Sequence, residues 1–418
     1  MSDFAVVHCR QLLTLAGPPG PRTGPALRDL AIIPDGALRI RDGLIAAVGP
    51  RADILRAVSE DTVIVDAGNR IVLPGFIDAH THPVFSGTRA AEFERRIEGA
   101  TYEEIAASGG GIRSTVRLTA ESTPAALFQA SRRYSEWFHR GGTTTIEAKS
   151  GYGLSLEAEL HILKTIRLLA AERRLRMIPT FLGAHEVPDE YRGRTADYAD
   201  LVIHEMLPRV VEESLAEYCD IFCEPTVFPV DLARPVLRAA QALGLALRIH
   251  ADQFTPDYAS LLAAELGAAT ADHLECTTPA AFAALRAARV QPVLLPGSVY
   301  ALSRTRYPDA RGMIAAGLPL VLATDFNPGS SPTASMPMIL SLAATQMRMT
   351  PAEAITAATV NAACSLNRDR SIGSLEPGKE ADFVIHDCDD YRELPYFFAR
   401  ESAREVYLHG VRVYPPAD

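Results

Sequence analysis

The chain has 418 residues, 48% of them hydrophobic and 22% charged, proportions that are ordinary for a globular protein. Because 41 Lys and Arg stand against 51 Asp and Glu, the formal net charge is −10, and the absence of a basic run argues against a nucleic-acid partner. No apolar stretch reaches about 18 residues, so we expect no membrane partner. The N-terminus has no basic segment before an apolar run, and six scattered cysteines suit a reducing compartment. We therefore expect a cytoplasmic protein.

The first zone, residues 1–73, contains short β patterns interrupted by turns. In ALRIRDGLIAAVG, apolar and polar residues alternate on both sides of Asp42 and Gly43, which predicts a β-hairpin. The segment TVIVDAGNRIVLP repeats this pattern and predicts a second turn at Gly68 and Asn69.

The middle zone, residues 74–371, alternates short apolar runs with amphipathic segments such as LEAELHILKTIRLLAAERR. This alternation predicts βαβ units and a parallel sheet. Eight units in about 300 residues are typical of a (β/α)8 TIM-like barrel, which is an α/β fold. The eight predicted strands are FIDAHTH, TTTIEAK, MIPTFLGAH, DIFCE, LALRIHA, ATADHL, QPVLLP and LVLATD.

The last zone, residues 372–418, returns to β signals in GSLEPGKEADFVIHD and EVYLHGVRVYP. Because these segments are similar to the first zone, we expect residues 1–73 and 372–418 to form one small β-sandwich domain beside the barrel of residues 74–371. The Pro- and Gly-dense loop AGPPGPRTGPALRD, residues 16–29, predicts a mobile surface excursion.

The predicted barrel strands end on polar side chains. His80 and His82 end the first strand, and His250, His273 and Asp325 end the fifth, sixth and eighth. The carboxyl ends of barrel strands converge on one mouth, and residues i and i+2 of a strand share a face. Each residue alone also has a structural interpretation, since a single buried histidine is more often a hydrogen-bonded core residue, and Asp325 could cap the next helix. Their order on the strands favours a divalent metal site.

The expected chemistry follows from these ligand types. Three neutral imidazoles and one carboxylate would hold one Zn or Fe ion with an open position for water. Such an ion lowers the pKa of bound water from about 15.7 to about 7, which supplies hydroxide at neutral pH. We expect Asp325 to move a proton from this water to the leaving nitrogen, and His273 to stabilise the oxyanion. The predicted reaction is hydrolysis of an amide-like C–N bond or hydrolytic deamination.

Longer stretches carry a family resemblance. PGFIDAHTH, the later single histidines, ATDFNPG and GSLEPGKEADFVI resemble the amidohydrolase superfamily. HTHPVFSGTRAAEF, KSGYGL, GAHEVP, HADQF, ADHLE and TDFNPGSSPT are similar to the branch that opens 4-imidazolone-5-propanoate to N-formimidoyl-L-glutamate in histidine degradation. The resemblance implies that reaction, with metal-bound hydroxide attacking the ring carbonyl of a small substrate that bears a carboxylate. It also implies a homodimer.

The resemblance assigns roles to single residues. A propionate tail needs a cation, which suits Arg89, and the NPGSS loop could offer backbone N–H groups to the same tail. The implied metal ligands are His80, His82, His250 and Asp325. The implied catalytic residues are Asp325, His273, His185 and Gln253. The implied substrate-binding residues are Arg89, Tyr102, Tyr152, His185, Gln253, Asn327, Gly329 and Ser330.

Some features depart from the family pattern or leave alternatives open. Many members have Glu where this chain has Gln253, so this side chain can orient the ring or the water but cannot carry a proton. Glu224 stands where binuclear relatives have a carboxylated lysine, which favours a single metal ion. Lys149 could be the buried ion-pair partner of Glu147 or Glu224. The alternative functions are a related amidohydrolase acting as a formimidoylglutamate deiminase or a purine or pyrimidine deaminase, and a non-catalytic scaffold of the same fold.

Overall fold

A computed structural model describes residues 3–100, 104 and 109–416 of the chain. Its strands form two separate sheets, one of eight strands and one of seven. The strands in chain order are β1 (Phe4–Leu13), β2 (Ile32–Arg41), β3 (Leu44–Pro50), β4 (Val63–Pro74), β5 (Phe76–Thr81), β6 (Thr143–Lys149), β7 (Arg176–Ala184), β8 (Tyr218–Cys223), β9 (Ala246–Ala251), β10 (Thr270–His273), β11 (Gln291–Leu294), β12 (Val321–Leu322), β13 (Phe383–His386), β14 (Ala403–Leu408) and β15 (Val411–Tyr414).

Strands β5 to β12 form the eight-stranded sheet in chain order, all parallel, and each overlaps one of the predicted runs, with β7 and β8 beginning one and two residues before theirs. Every residue of β5 and β6 is buried, as expected for a parallel sheet that is covered on both faces. The sheet closes where His82 N donates to Phe326 O at 2.8 Å. Asp78 strengthens this seam by accepting from Thr324 N at 2.9 Å and from Thr324 Oγ1 at 2.5 Å. The predicted (β/α)8 barrel is confirmed.

Helices cover the outside of the barrel because their apolar sides pack on the strands. The predicted amphipathic segment after β6 forms the helix Leu156–Ala171, which begins where Ser155 Oγ accepts from Ala158 N. None of the helices in the described residues combines the length and the apolar character needed to cross a membrane. The α-helices in chain order are α1 (Arg51–Ala57), α2 (Ala90–Ile97), α3 (Ile112–Ala120), α4 (Pro124–Arg132), α5 (Tyr134–Arg140), α6 (Leu156–Ala171), α7 (Thr195–Leu201), α8 (Leu207–Glu212), α9 (Val230–Ala242), α10 (Ala259–Leu266), α11 (Pro279–Ala287), α12 (Pro296–Ala301), α13 (Ala310–Ala315), α14 (Met336–Met347), α15 (Pro351–Ala357), α16 (Val360–Ser365) and α17 (Glu393–Tyr396), with a π-helical turn (Val202–Met206) between α7 and α8.

Strands from both chain ends form the seven-stranded sheet, in the order β15-β14-β13-β4-β1-β2-β3. The neighbours β1 and β4 are parallel, and the other neighbours are antiparallel. Its apolar core contains the stacked rings of Phe383 and Tyr407, whose centroids lie 4.4 Å apart. The predicted hairpin at Asp42 and Gly43 joins β2 to β3. The small β domain therefore draws its strands from both ends of the chain in one continuous sheet, while its boundaries, residues 1–73 and 372–418, stay predictions.

The predicted turn at Gly68 and Asn69 is wrong, because β4 runs through both residues as one strand. Their φ angles are 65° and 56°, and the register between β4 and β1 shifts here, between Val7 and Cys9 of β1. A bulge of this kind accommodates the two residues with positive φ, and both halves of β4 stay paired with β1. The Gly-Asn pair was correct as a sign of positive φ but not as a sign of chain reversal.

The predicted excursion at residues 16–29 is largely exposed, but Arg22 anchors it to the barrel. Arg22 is buried, its backbone N donates to Asn361 Oδ1 at 2.7 Å, and Asn361 Nδ2 donates to Arg22 O at 3.0 Å. Asn361 also donates to Leu320 O at 2.9 Å, just before β12. The Pro- and Gly-rich segment is therefore attached beside the amino-terminal end of β12.

The two sheets meet at His386 of β13. Its ring is buried, its Nδ1 lies 2.9 Å from Ser402 Oγ, and its centroid lies 5.7 Å from that of Phe76 in β5. Burial lowers the pKa of His386 to about 3. The folded protein therefore holds this imidazole neutral across the range in which an exposed histidine titrates.

We expect acid to destabilise the fold partly through His386. Below pH 6.5 the unfolded chain binds a proton that the folded chain does not, so stability is complete above that pH and falls as the pH drops toward 3. This group contributes a slope of about 1.4 kcal/mol per pH unit. His386→Asn should remove that part of the slope, measured by urea unfolding between pH 7 and pH 5. The exposed His204→Asn is the control, and an unchanged slope in His386→Asn would contradict the assignment.

Candidate metal centre and active site

The structure brings the four predicted metal ligands together at the carboxyl end of the barrel. His80 of β5 lies with its ring centroid 4.5 Å from that of His250 of β9 and 5.3 Å from that of His82. Asp325 Oδ1 lies 3.6 Å from His80 Nε2 and 3.6 Å from His82 Nε2. All four side chains are buried, and the three histidines offer ligand atoms within 4.8 Å of one another.

This donor set fits a divalent metal ion. Nε2 of His80 is buried and has no hydrogen-bond partner in the part of the chain that the structure describes, a costly situation unless a ligand satisfies it. The separations of 3.6 Å from Asp325 Oδ1 to His80 Nε2 and His82 Nε2 are close to the edge, about 3.4 Å, of a tetrahedron with metal–nitrogen bonds of about 2.1 Å. The four side chains would therefore hold one ion with little rearrangement.

Burial keeps the imidazoles in the form that binds metals. It lowers the pKa of His250 to about 4, and it lowers the pKa values of His80 and His82 well below the ordinary value. The positive charge of Lys149 acts in the same direction on His80. A histidine binds a metal ion as a neutral imidazole, so the protonation states of these three side chains suit metal binding, as their positions do.

Two carboxylates orient two of these histidines. His80 Nδ1 donates to Asp272 Oδ2 at 2.6 Å, and His250 Nδ1 lies 3.0 Å from Asp220 Oδ2. A carboxylate at Nδ1 fixes the ring and leaves Nε2 as the nitrogen for a metal. Both carboxylates are fully buried in the barrel interior.

Below the histidines, the barrel interior contains a cluster of buried charges. Lys149 Nζ lies 2.9 Å from Glu147 Oε1, 2.7 Å from Asp220 Oδ2 and 3.7 Å from Asp272 Oδ2. Arg248, also fully buried, lies 3.8 Å from Glu147 Oε1 and 3.6 Å from Asp272 Oδ2. Although burial favours the neutral amine, Asp220 and Glu147 outweigh it and raise the pKa of Lys149. The interior is thus held together by ion pairs rather than by apolar packing alone.

Asp325 occupies a constrained position in the mouth. Its φ of 56° is uncommon for a residue with a side chain and is often found at functional sites. Ser330 Oγ donates to Asp325 Oδ2 at 3.3 Å, and burial raises the pKa of Asp325 to about 6. The next helix, α14, is capped by Ser335, whose side chain accepts from Met338 N, so Asp325 is not a helix cap.

His273 has a left-handed backbone as well, with a φ of 82°. Its ring centroid lies 5.3 Å from that of His250, and its Nδ1 lies 3.2 Å from Glu275 Oε1. Burial opposes a charged ring, but Glu275 and then Asp325 outweigh it and raise the pKa of His273. This arrangement suits a hydrogen-bond donor beside the candidate metal ligands.

Arg89 lies against the loop that follows Asp325. A Cβ placed on Gly329 would come within 1.3 Å of Arg89 Nη2, so the guanidinium packs directly on the glycine backbone. Arg89 Nε is buried without a hydrogen-bond partner among the described residues. Asn327 Oδ1 accepts from the backbone N of Gly329 at 2.8 Å and of Ser330 at 2.7 Å. Because these two amides are already used, the positive charge at this loop comes from Arg89, whose Nε lies 3.7 Å from Glu92 Oε2, and from Arg96, whose Nη2 donates to Gly329 O at 3.4 Å.

Those of the other predicted substrate-binding residues that the structure describes line the same mouth of the barrel. His185 stacks on His82 with centroids 5.0 Å apart, and its Nδ1 donates to a backbone carbonyl of the KSGYGL loop at 2.9 Å. The ring of Tyr152 lies 5.5 Å from His185, and burial raises the pKa of Tyr152. Gln253 is buried two residues after β9. Tyr102 lies outside the described residues.

Sequence reasoning missed the carboxylates that orient the histidines. Lys149 pairs with Glu147 as one interpretation proposed, but its other close carboxylate is Asp220 and not Glu224, whose Oε1 accepts from Phe254 N at 2.8 Å. The signal for Asp220 was present, since a carboxylate inside the apolar run YCDIFC is stable only beside a cation or a donor. Asp272 lies directly before His273 in the predicted run ATADHL, but its sequence position alone assigns it no role.

Comparison with known proteins gives the family. The model of the amidohydrolase family matches residues 71–411. An imidazolonepropionase of Solibacter usitatus (strain Ellin6076) is 74% identical over 414 residues, which cover 99% of each chain. An imidazolonepropionase of Symbiobacterium thermophilum is 45% identical over 411 residues, or 98% of this chain and 96% of that protein. The chain belongs to the imidazolonepropionase family of amidohydrolases. It is therefore a hydrolase that acts on a cyclic amide.

Solved structures of more distant proteins share the fold of this family member. Guanine deaminase of E. coli has a TM-score of 0.76 at 16% identity, with 100% of both chains covered. A 5-methylcytosine deaminase from Klebsiella pneumoniae has a TM-score of 0.73 at 17% identity, with 99% of this chain and 98% of that chain covered. At such low identity the likeness concerns the barrel and its flanking sheet alone.

His82→Ala should empty the candidate metal centre. The wild-type protein should contain about one zinc or iron ion per chain, and loss of one of its four ligands should lower this content to below about 0.1. Elemental analysis by mass spectrometry after gel filtration measures it. His204→Ala, at an exposed position, should keep the wild-type content. A full metal content in His82→Ala would remove this residue from the ligand set.

Proposed function

We propose that the protein hydrolyses 4-imidazolone-5-propanoate to N-formimidoyl-L-glutamate in histidine degradation. The observation that carries the proposal is the position of Arg89 on Gly329, in the loop that begins with the candidate ligand Asp325. A hydrolytic centre and a carboxylate-binding cation thus share one loop. Full-length identity of 74% to an imidazolonepropionase supports the same substrate.

We propose one divalent ion, zinc or iron, held by His80, His82, His250 and Asp325, because three imidazoles and one carboxylate suit both metals. When bound, the ion would lower the pKa of a coordinated water to about 7 and polarise the ring carbonyl. Homodimer formation, a cytoplasmic location and the absence of nucleic-acid and membrane partners stay predictions.

The proposed proton transfers use Asp325 and His273. Asp325 accepts a proton from the attacking water and passes it to the ring nitrogen that leaves. His273, held by Glu275, donates to the oxyanion that forms on the carbonyl oxygen. Gln253 orients the ring or the water and carries no proton.

The remaining residues would bind the substrate. Arg89 contacts the propionate, since a guanidinium matches the two oxygens of a carboxylate. His185 and Tyr152 stand beside the metal-ligand histidine His82 and would contact the ring. Asn327 fixes the shape of the loop that includes Gly329 and Ser330. The role of Tyr102 stays a prediction.

The purified protein should consume 4-imidazolone-5-propanoate and release N-formimidoyl-L-glutamate in equal amount. Loss of imidazolone absorbance and mass spectrometry of the product measure this. Asp325→Asn should lower turnover by about 10²- to 10⁴-fold, because the amide cannot move the proton. Turnover of guanine, cytosine or N-formimidoyl-L-glutamate, without ring opening, would favour a related deaminase or deiminase. Inert protein with no bound metal would favour a scaffold.

Gly329→Ala should weaken substrate binding by displacing Arg89. The added methyl group would overlap the guanidinium, so KM should rise about 10- to 100-fold, as expected for loss of a charge-assisted contact, with a smaller change in kcat. Arg89→Ala should raise KM similarly, and the double variant should add little because both act on one contact. Gly49→Ala is the matched control, since a Cβ there meets open space. Additive effects of the two variants would contradict a shared role.

A further inference from the structure

Lys149 is a buried charged residue that the proposed mechanism does not use. Its side chain is 0% exposed, and its Nζ lies 2.7 Å from Asp220 Oδ2 and 3.7 Å from Asp272 Oδ2. The same two oxygen atoms face the histidines: Asp272 Oδ2 accepts from His80 Nδ1 at 2.6 Å, and Asp220 Oδ2 lies 3.0 Å from His250 Nδ1. One ammonium group therefore faces both oxygens that orient the candidate metal ligands.

The two carboxylates depend on Lys149 to different degrees. Asp220 has a second oxygen that accepts from the backbone N of Ile221 at 2.7 Å and of His250 at 3.2 Å. Oδ1 of Asp272 has no hydrogen-bond partner among the described residues, so its other oxygen must be held by His80 and the nearby cations. Removal of the ammonium takes a 2.7 Å hydrogen bond from Asp220, whereas Asp272 loses one of its two cations and keeps Arg248, whose Nη2 lies 3.6 Å from its Oδ2.

Lys149 is also tied to the strand that carries the HTH motif. Its Nζ donates to Glu147 Oε1 at 2.9 Å, and Thr81 Oγ1 donates to the backbone O of Glu147 at 2.6 Å. Thr81 lies between His80 and His82. The ammonium is therefore fixed relative to the end of β5, which carries the HTH motif, and relative to β8, β9 and β10, which carry Asp220, His250 and Asp272.

We propose that Lys149 is a positioning residue of the metal centre, which holds Asp220 and Asp272 so that His250 and His80 face the ion before it binds. This inference rests on the metal centre of the proposed function and is independent of the substrate. The proposal and simple charge repulsion predict opposite changes in metal affinity when the ammonium is removed. An ammonium repels a divalent cation, so its removal would tighten metal binding if charge were its only effect. Loss of positioning would weaken metal binding instead.

Lys149→Met tests the proposal, because methionine has a similar length and no charge. The variant should bind Zn²⁺ about 10- to 100-fold more weakly than the wild type, the usual cost of losing an outer partner of a ligand. Competition with a chromophoric chelator measures this affinity. The visible spectrum of the Co²⁺-loaded variant should also differ, because misaligned histidines change the ligand field, whereas a purely structural role would leave it unchanged.

Lys164→Met is the matched control, since it removes the same charge from a surface lysine that pairs with Glu213 at 2.8 Å. Equal or tighter zinc binding by Lys149→Met, with a wild-type cobalt spectrum, would overturn the proposal. If that variant does not fold, Asp272→Asn serves instead, because it keeps an oxygen for His80 and removes the charge that faces Lys149. Unchanged zinc affinity there would overturn it as well. Ring opening by the wild type tests the proposed function separately.

Discussion

The structure depends on a balance of buried charges inside the barrel. Charges removed from water are tolerated only when they are paired, and here carboxylates outnumber cations below and at the mouth. His273 and Glu275 form a pair of their own. At and directly below the candidate ligands, four carboxylates stand with two cations, and a bound divalent ion would offset part of this negative charge. The carboxylates are Glu147, Asp220, Asp272 and Asp325, and the cations are Lys149 and Arg248.

The backbone hydrogen bonds that close the barrel also set the positions of candidate metal ligands. The first and last barrel strands meet where Asp325 N donates to His80 O at 3.1 Å and His82 N donates to Phe326 O at 2.8 Å. These backbone bonds set the distance between the Asp325 carboxylate and the two imidazoles of the HTH motif. Asp78 and Thr324 hold the same seam from below. A change that loosens the seam should therefore affect the metal and the fold together.

The sequence was sufficient for the barrel and for a set of polar residues at the strand ends, because both follow simple rules, and the family resemblance selected the four candidate ligands from that set. Apolar runs between amphipathic segments mark parallel strands, and residues at strand ends converge. The sequence was insufficient where tertiary contacts select one of several local structures or roles. Gly68 and Asn69 allow either a turn or a bulge, and pairing of both halves with β1 selects the bulge. Arg22 anchors a loop whose composition resembles a mobile one. Asp220 is recognised only when Lys149 and His250 are placed beside it.

The loop after the last strand couples the two halves of the active site. Asn327 Nδ2 donates to the backbone O of Asp325 at 2.7 Å, while its Oδ1 accepts from the backbone N of Gly329 at 2.8 Å. One side chain thus fixes the distance from the candidate metal ligand to the glycine on which Arg89 rests. Under the proposed function, a substrate would have to match that distance between the bond to be hydrolysed and its carboxylate. Because a fold does not determine which substrate it accepts, the proposed roles assign selectivity to this spacing rather than to the metal ligands.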